Sequence, residues 1–332
     1  MNSKDYNAGS KARNDARDIL LKNGFTSHTV FNRNHNKFLK AIEVIWSIKR
    51  LETIKNVNNI VLQYPYNITL LKKMISQLKK IKTRDKSNII FLIHDIYYLR
   101  DDQGIDSEKL KKIEVELFNS IDALIVHNDT MKKRLAGDGV KTKMVSLQLF
   151  DYLTDYQPEK SESHNTISID FAGNLSAEKS GFLYSYTLDP QVDINLYGIG
   201  DADKLSDRYN YCGSYPPEQL VNKLRGDYGL VWDGPSAETC EGNYGRYLTI
   251  NNPHKMSLYI AARKPLVVWN KSAAAEFVRD NRIGICISNL NELRDLPNSQ
   301  SEEYAFMCDN VKEISKKVIK GEMLTEAIRN II

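Results

Sequence analysis

Residues 88–95 read NIIFLIHD. Five apolar side chains, Ile89 to Ile93, run without a polar break and end on His94 and Asp95. A strand with no polar alternation has no face left for water. Similar runs occur at 59–64 (NIVLQY), 123–128 (ALIVHN) and 144–150 (MVSLQLF), separated by helical patterns near 36–55, 67–83, 107–119 and 129–136. Unbroken apolar strands between amphipathic helices predict a parallel sheet covered on both faces.

The same alternation restarts after a polar, aperiodic stretch, DYQPEKSESHN at 155–165, which reads as a linker. Strands are expected at 167–174 (ISIDFAGN), 192–200 (VDINLYGIG), 228–234 (YGLVWDG), 265–269 (PLVVW) and 284–287 (GICI). Helices fit near 177–185, 216–225, 253–263 and 272–281. The tail from Ser301 is helical, with Tyr304, Met307, Val311, Ile314 and Val318 on one face and an interruption at Gly321. The expected architecture is therefore α/β, with two doubly wound domains in tandem: 1–155, a linker at 156–165, and 166–332. The chain opens on a small-residue loop running into a helix, where a doubly wound domain usually opens on a strand. That strand is expected either upstream of Met1 or poorly formed by the first residues.

Bulk properties narrow the function class. The chain has 332 residues, of which 42% are apolar, and none of its apolar runs approaches the ~18 residues of a membrane span. The polar N-terminus is not a signal peptide. Cys212, Cys240, Cys286 and Cys308 form no CxxC pair and no zinc spacing, so they read as reduced thiols of a cytoplasmic protein. The net charge of +4 divides unevenly. Residues 1–155 carry 27 Lys and Arg against 18 Asp and Glu; the remainder carries 19 against 24. This pattern fits two solvated surfaces, or a first half that meets an anionic membrane surface or a phosphate-bearing acceptor. No aromatic-interleaved basic stripe points to nucleic acid.

Ligands of open parallel sheets bind at the carboxyl ends of the strands, so the residues that follow each strand matter most. Gly173 and Asn174 allow a tight turn after Phe171, and Lys179 follows in the next helical turns. Tyr215 sits at a strand end before PPEQL, free to stack on a ring or donate a hydrogen bond. After GLVWDG comes a long polar stretch punctuated by Gly234, Gly242 and Gly245, which leads into NNPHKMSLYIAA at 251–262. There Asn252 fits an N-cap and Pro253 the first helical position. Lys255 then lies in the first turn, where the helix dipole disfavours a cation, and His254 beside it could add a second. A docked anion would reverse that cost. In the first half, Asp95 could act as a general base or cap the following turn, with His94 its rival. Arg100 and Asp101 fall in the next loop, and His127 and Asn128 end the next strand.

Several classes are excluded or disfavoured. No GxGxxG follows a first strand, which argues against a nicotinamide-dependent oxidoreductase or epimerase. There is no Walker A lysine motif, no GxSxG elbow, and no DxD-like strand end suited to a nucleotide–metal bridge.

The stretches FAGNLSAEKSGFLY (171–184) and GLVWDGPSAETCEGNYGRYLTINNPHKMSLYIAARKPLVVW (229–269) resemble bacterial glycosyltransferases of the two-Rossmann GT-B fold. The nearest resemblance is to the β-1,6-galactofuranosyltransferases of O-antigen synthesis, which also have LIHDI..LR, FDYL and DNRIG stretches, here at 92–100, 150–153 and 280–284. A more distant one is to the streptococcal glucosyltransferase that extends GlcNAc-modified serine-rich-repeat adhesins. The resemblance implies a UDP-sugar donor bound mainly by the C-terminal domain, inversion at the anomeric carbon, no metal or other cofactor, and self-association. By position it makes Gly173, Asn174, Lys179, Tyr215, Pro253, His254, Lys255, Met256, Ser257 and Leu258 donor-binding residues, with Gly9, Ser10 and Lys11 facing the donor from the other domain. The acceptor is a glycan, lipid-linked or on a glycoprotein. A non-catalytic sugar-nucleotide-binding partner with the same fold is the alternative from another class.

Overall fold

The computed structural model of the chain describes residues 8–27, 46, 49–65, 68–100, 106–156, 166–201, 204–205 and 207–332. Most of the helix expected near 36–55 and of the expected linker lies outside the described residues, as does Asp101. The chain divides into two compact units. One holds Gln148–Leu324 together with the N-terminal residues through Ala16; the other holds Arg17–Leu147 and Thr325–Ile332.

The second of these units is built on a four-stranded sheet in the order β1-β2-β3-β4. Its strands are β1 (Asn59–Tyr64), β2 (Asn88–Ile93), β3 (Ala123–Val126) and β4 (Lys143–Ser146). All neighbours are parallel, with Asn59 opposite Asn88 and Tyr64 opposite Ile93. Ile89 to Ile93 are fully buried, as the unbroken apolar run requires. The crossovers are helical: Ile68–Asp85, Ser107–Phe118 and Asp129–Gly137. Each of the last two starts on a side-chain cap. Asp106 accepts from the Glu108 N–H, and Asn128 from the Met131 N–H. Asn128 is thus a helix cap.

The other unit carries a six-stranded parallel sheet. Its strands are β5 (Ile167–Asn174), β6 (Val192–Ile199), β7 (Asn210–Gly213), β8 (Tyr228–Val231), β9 (Leu266–Trp269) and β10 (Gly284–Ile287). The order across the sheet is β10-β9-β8-β5-β6-β7. Counted from β5, this is the doubly wound order 3-2-1-4-5-6 read in reverse, and the chain changes direction across the sheet between β5 and β8. A continuous core fills both faces, with Ile169, Phe171, Leu196, Leu230, Trp232, Tyr259 and Val268 fully or almost fully buried. The C-terminal helix Glu302–Val318 starts on Ser301, whose hydroxyl accepts from the Tyr304 N–H, and it buries Tyr304, Met307, Val311 and Val318. Gly321, at φ +84°, turns the chain into the last helix, Glu322–Arg329.

Three local expectations are corrected. Gly9, Ser10 and Lys11 lie in the first turns of the helix Ala8–Lys22, so they do not form a loop. The stretch expected to be a long loop after Gly234 contains a short helix, Gly242–Tyr247. The helix at 253–263 begins one residue later than the capping pattern implied. Pro253 is the N-cap and the helix runs His254–Ala261, while Asn252 turns inward, buried, and donates to the carbonyl of Gln148. Pro253 has the extended φ/ψ of a cap but no side-chain acceptor, so the first turn has no side-chain cap.

Candidate active site

The direction change between β5 and β8 is where an open sheet of this order makes its crevice. β5 pairs with β6 along its whole length, to Asn174 opposite Ile199. With β8 it pairs only at Ile169–Tyr228 and Asp170–Gly229. Beyond that point the two strands separate, and their carboxyl ends carry Gly173–Asn174 on one side and Trp232–Asp233 on the other.

Lys255 enters this gap from the first turn of its helix. Its Nζ donates to the carbonyl of Trp232 at 3.1 Å and to Asp233 Oδ1 at 2.9 Å. The ammonium also lies 4.8 Å from the centroid of the Phe171 ring. A Cβ placed on Gly173 would come 4.0 Å from Nζ, so the Gly173 turn runs beside it. The side chain keeps only 10% exposure and that of Asp233 7%. Burial lowers the Lys255 pKa, the carboxylate of Asp233 opposes that shift, and the like charge of Lys179 adds to it. The sequence pattern reads Lys255 as an energetic misfit until an anion arrives; the structure overturns this. Asp233 and the Trp232 carbonyl already satisfy the ammonium, and a ligand anion must share or replace them.

His254 does not add a second cation. Its ring stacks on Tyr152 at 5.2 Å and meets Phe150 edge-on at 6.2 Å. Burial, reinforced by the charge of Lys11, pushes its pKa down to about 4, so it is neutral near pH 7. Its Nε2 is buried without a hydrogen-bond partner. Met256, Ser257 and Leu258 are buried and pack the helix onto the sheet. Pro253 is half-buried at the helix start.

Lys179 is half-buried, 5.2 Å from the centroid of the Tyr244 ring, and its carbonyl accepts from the Gly234 N–H at 2.8 Å. The Gly173–Asn174 end of β5, the Lys179 turn and the Gly234 loop therefore assemble around Lys255. Asn174 is exposed, and its Oδ1 holds the Ser176 N–H at 2.8 Å. Tyr215 is half-buried and folded back on its own strand, donating to the Cys212 carbonyl at 2.8 Å, with Lys223 Nζ 5.5 Å from its ring centroid. Lys11 is buried, paired with Asp15 at 2.6 Å, and donates to the Leu153 carbonyl at 2.7 Å. It belongs to the same compact unit as Lys255, not to the opposite one. In the sequence Asp233 stands as an isolated acid, with nothing to mark it as a partner of Lys255 beyond its position one residue past a strand-end tryptophan.

The carboxyl ends of the four-stranded sheet hold a second polar group. Asp95 is half-buried and pairs with Arg100 at 2.8 Å. His94 Nε2 lies 2.8 Å from Gln63 Oε1. His127 is not a cleft residue. It is 2% exposed, its Nε2 donates to the His94 carbonyl at 3.1 Å, and burial pushes its pKa down to about 4. Glu114, fully buried, accepts from the N–H groups of Tyr97 and Tyr98 at 3.1 and 2.9 Å and from the Tyr64 hydroxyl. It thereby fixes the loop that carries His94 and Asp95. Nothing in the sequence marked it beyond a polar residue on the buried face of a helix.

The chain has known relatives. Residues 1–149 match the family described as glucosyltransferase 3-like, N-terminal domain, and residues 169–331 its C-terminal domain. The chain belongs to the glucosyltransferase 3-like family. It is thus a glycosyltransferase. It is 31% identical over 340 residues to the β-1,6-galactofuranosyltransferase WbbI of Escherichia coli (strain K12), covering 100% of this chain and 96% of that protein. It is 25% identical over 279 residues to glucosyltransferase 3 of Streptococcus gordonii, covering 78% and 75%. Among solved structures it resembles Anabaena Alr3699/HepE in complex with UDP-glucose, with a TM-score of 0.60 and 14% identity over 99% of this chain and 97% of that one. It also resembles WaaG, a glycosyltransferase involved in lipopolysaccharide biosynthesis, with a TM-score of 0.56 and 12% identity over 96% and 95%. The two parallel-sheet α/β units of this glucosyltransferase 3-like chain are those of the GT-B fold.

Proposed function

We propose that the chain transfers a hexosyl group from a UDP-sugar to a glycan acceptor in cell-surface polysaccharide synthesis, with inversion and without a metal. The observation that carries this reading is Lys255, a buried lysine at the β5/β8 direction change in the uncapped first turn of its helix. Helix N–H groups and cations stabilise a departing diphosphate. In the proposed reaction the acceptor oxygen bonds to the anomeric carbon as the carbon–phosphate-oxygen bond breaks. The bonding pair leaves with UDP, and the acceptor proton passes to Asp95. Lys255 and Lys179 meet the charge that develops on the diphosphate. Tyr215 and the strand ends hold the nucleoside. Gly9 and Ser10, in the first turns of their helix, complete the donor-binding set, while Lys11 stays engaged with Asp15 and the Leu153 carbonyl.

UDP-galactofuranose is the first donor to test, because the full-length match at 31% identity is to a galactofuranosyltransferase. UDP-glucose is the second, favoured by the family match and by glucosyltransferase 3. With UDP-glucose, the acceptor class would shift to a GlcNAc-modified serine-rich-repeat glycoprotein. The basic excess of residues 1–155 suits a lipid-linked acceptor at the cytoplasmic membrane face, approached peripherally: no helix among the described residues is long and apolar enough to cross a membrane. Self-association belongs to the same reading. Incubating the protein with a panel of UDP-sugars and following UDP release and hexose transfer by mass spectrometry tests it. UDP release dependent on one UDP-sugar supports the proposal; no turnover of any UDP-sugar, with or without glycan acceptors, overturns it.

A further inference from the structure

A side chain stands between β5 and β8 where they part. In a parallel ladder with Asp170 opposite Gly229, the next β5 N–H facing β8 is that of Ala172, and it meets the Leu230 carbonyl. The hydroxyl of Tyr259 stands between them. It accepts from the Ala172 N–H at 2.8 Å and donates to the Leu230 carbonyl at 3.2 Å. One ladder bond is replaced by a relay through one oxygen, which satisfies both backbone groups while holding the strands apart. Buried backbone groups rarely go unpaired, so the hydroxyl makes the separation tolerable.

The ring is accommodated by the absence of a side chain beneath it. A Cβ at Gly229 would lie 2.1 Å from Tyr259 Cγ, far inside contact distance. Tyr259 is itself fully buried. It lies one helical turn after Lys255, so the two side chains share one face of the helix His254–Ala261. Two residues after Leu230, just past the end of β8, comes Trp232, whose carbonyl the same continued ladder would give to the Asn174 N–H. Lys255 takes that carbonyl instead.

We propose that Tyr259 is a positioning residue for donor binding: by wedging β5 from β8 it opens the slot in which Lys255 sits and aims its ammonium at the diphosphate. This inference rests on the reading of Lys255 as a diphosphate contact. Tyr259 touches neither donor nor acceptor and acts only through Lys255 and the two strand ends. Gly229 is the second part of the device, because only glycine admits the ring.

The test is a double-mutant cycle read by isothermal titration with UDP. Tyr259→Phe keeps the ring on Gly229 and removes the relay. Far-UV circular dichroism and a melting curve establish that each variant is folded at the titration temperature. Tyr259→Phe is expected to weaken UDP binding about 5- to 20-fold, the effect of one or two neutral hydrogen bonds acting on a charged contact. Adding Tyr259→Phe to Lys255→Ala is expected to cost less than twofold more. A merely structural tyrosine would lower the melting temperature and leave UDP affinity of the folded protein unchanged. Wild-type affinity in Tyr259→Phe, or a full additional loss in the double variant, overturns the inference. Wild-type affinity in Lys255→Ala overturns the donor reading beneath it. If Tyr259→Phe fails to fold, site-specific 3-fluorotyrosine at 259, a weaker hydroxyl acceptor on the same ring, carries the same cycle: a loss of affinity with Lys255 present and none with Lys255→Ala supports the inference, and any other pattern overturns it.

Discussion

The two sheets hold charged side chains at their carboxyl ends in different ways. In the six-stranded sheet, Lys255 enters the sheet itself and takes a main-chain carbonyl freed where the strands part. In the four-stranded sheet, β1 and β2 stay paired to their ends and β2 and β3 to within one residue of theirs, and the charged group stands on the loop beyond. There Asp95 is tied to Arg100, five residues away, and the loop is clamped from below by Glu114. In the proposed reaction the first arrangement fixes a charge for a ligand of defined shape, a diphosphate. The second presents a group that can exchange one partner for another, which suits a base that must take up and release a proton.

The comparison can be broken at either sheet. The largest effect is expected at the loop. Asp95→Asn should lower kcat at least 100-fold while leaving UDP affinity within twofold of wild type, because general base catalysis typically contributes ~10²–10⁴ in rate. Steady-state kinetics beside UDP titration checks both halves. A retained kcat would move the base to His94 or elsewhere.

At the other sheet, Asp233→Asn leaves the buried ammonium of Lys255 without its carboxylate. The free protein should lose about 1–3 kcal/mol of stability, the usual cost of orphaning a buried polar partner. Bound UDP would supply a replacement anion, so the rise in melting temperature caused by UDP should exceed that of wild type. An equal rise in both proteins would mean that Asp233 and the diphosphate do not share Lys255.

A smaller effect is read by pH at the four-stranded sheet. Burial holds His127 at about 4 in the folded state, below the ordinary value of 6.5. The unfolded chain therefore takes up this proton first as the pH falls. Stability contributed by the neutral ring is fully present above about pH 6.5 and is lost as pH falls towards 4, by at most ~1.4 kcal/mol per pH unit. His127→Gln can still donate to the His94 carbonyl but does not titrate. Its melting temperature should fall less steeply over that interval, and an unchanged slope would mean that His127 does not titrate there.

How much of this was legible in the sequence follows from what each feature depends on. The apolar runs at 88–93 and 123–126 became β2 and β3 because burial on both faces leaves a one-dimensional signature, whereas β1 at 59–64 alternates half-buried and buried residues. Lys255 was conspicuous because a cation at a helix start contradicts a local rule. Its partner Asp233 was not, since 22 residues separate them and the pairing exists only once β8 and the helix are packed. The neutrality of His254 escaped for the same reason: the rings of Phe150 and Tyr152 that bury it come from the crossing segment before β5. Tyr259 looked like one more apolar position of an amphipathic helix. Its role depends on the register of two strands and on Gly229, which no local pattern reveals.

In the proposed function the ammonium of Lys255, at the parting of β5 and β8, binds the donor diphosphate. Isothermal titration of UDP into Lys255→Ala tests it most directly. One charge-assisted hydrogen bond is worth ~1.5–3 kcal/mol, so affinity should fall roughly 10- to 100-fold. A folded Lys255→Ala protein that binds UDP as tightly as wild type would contradict the account.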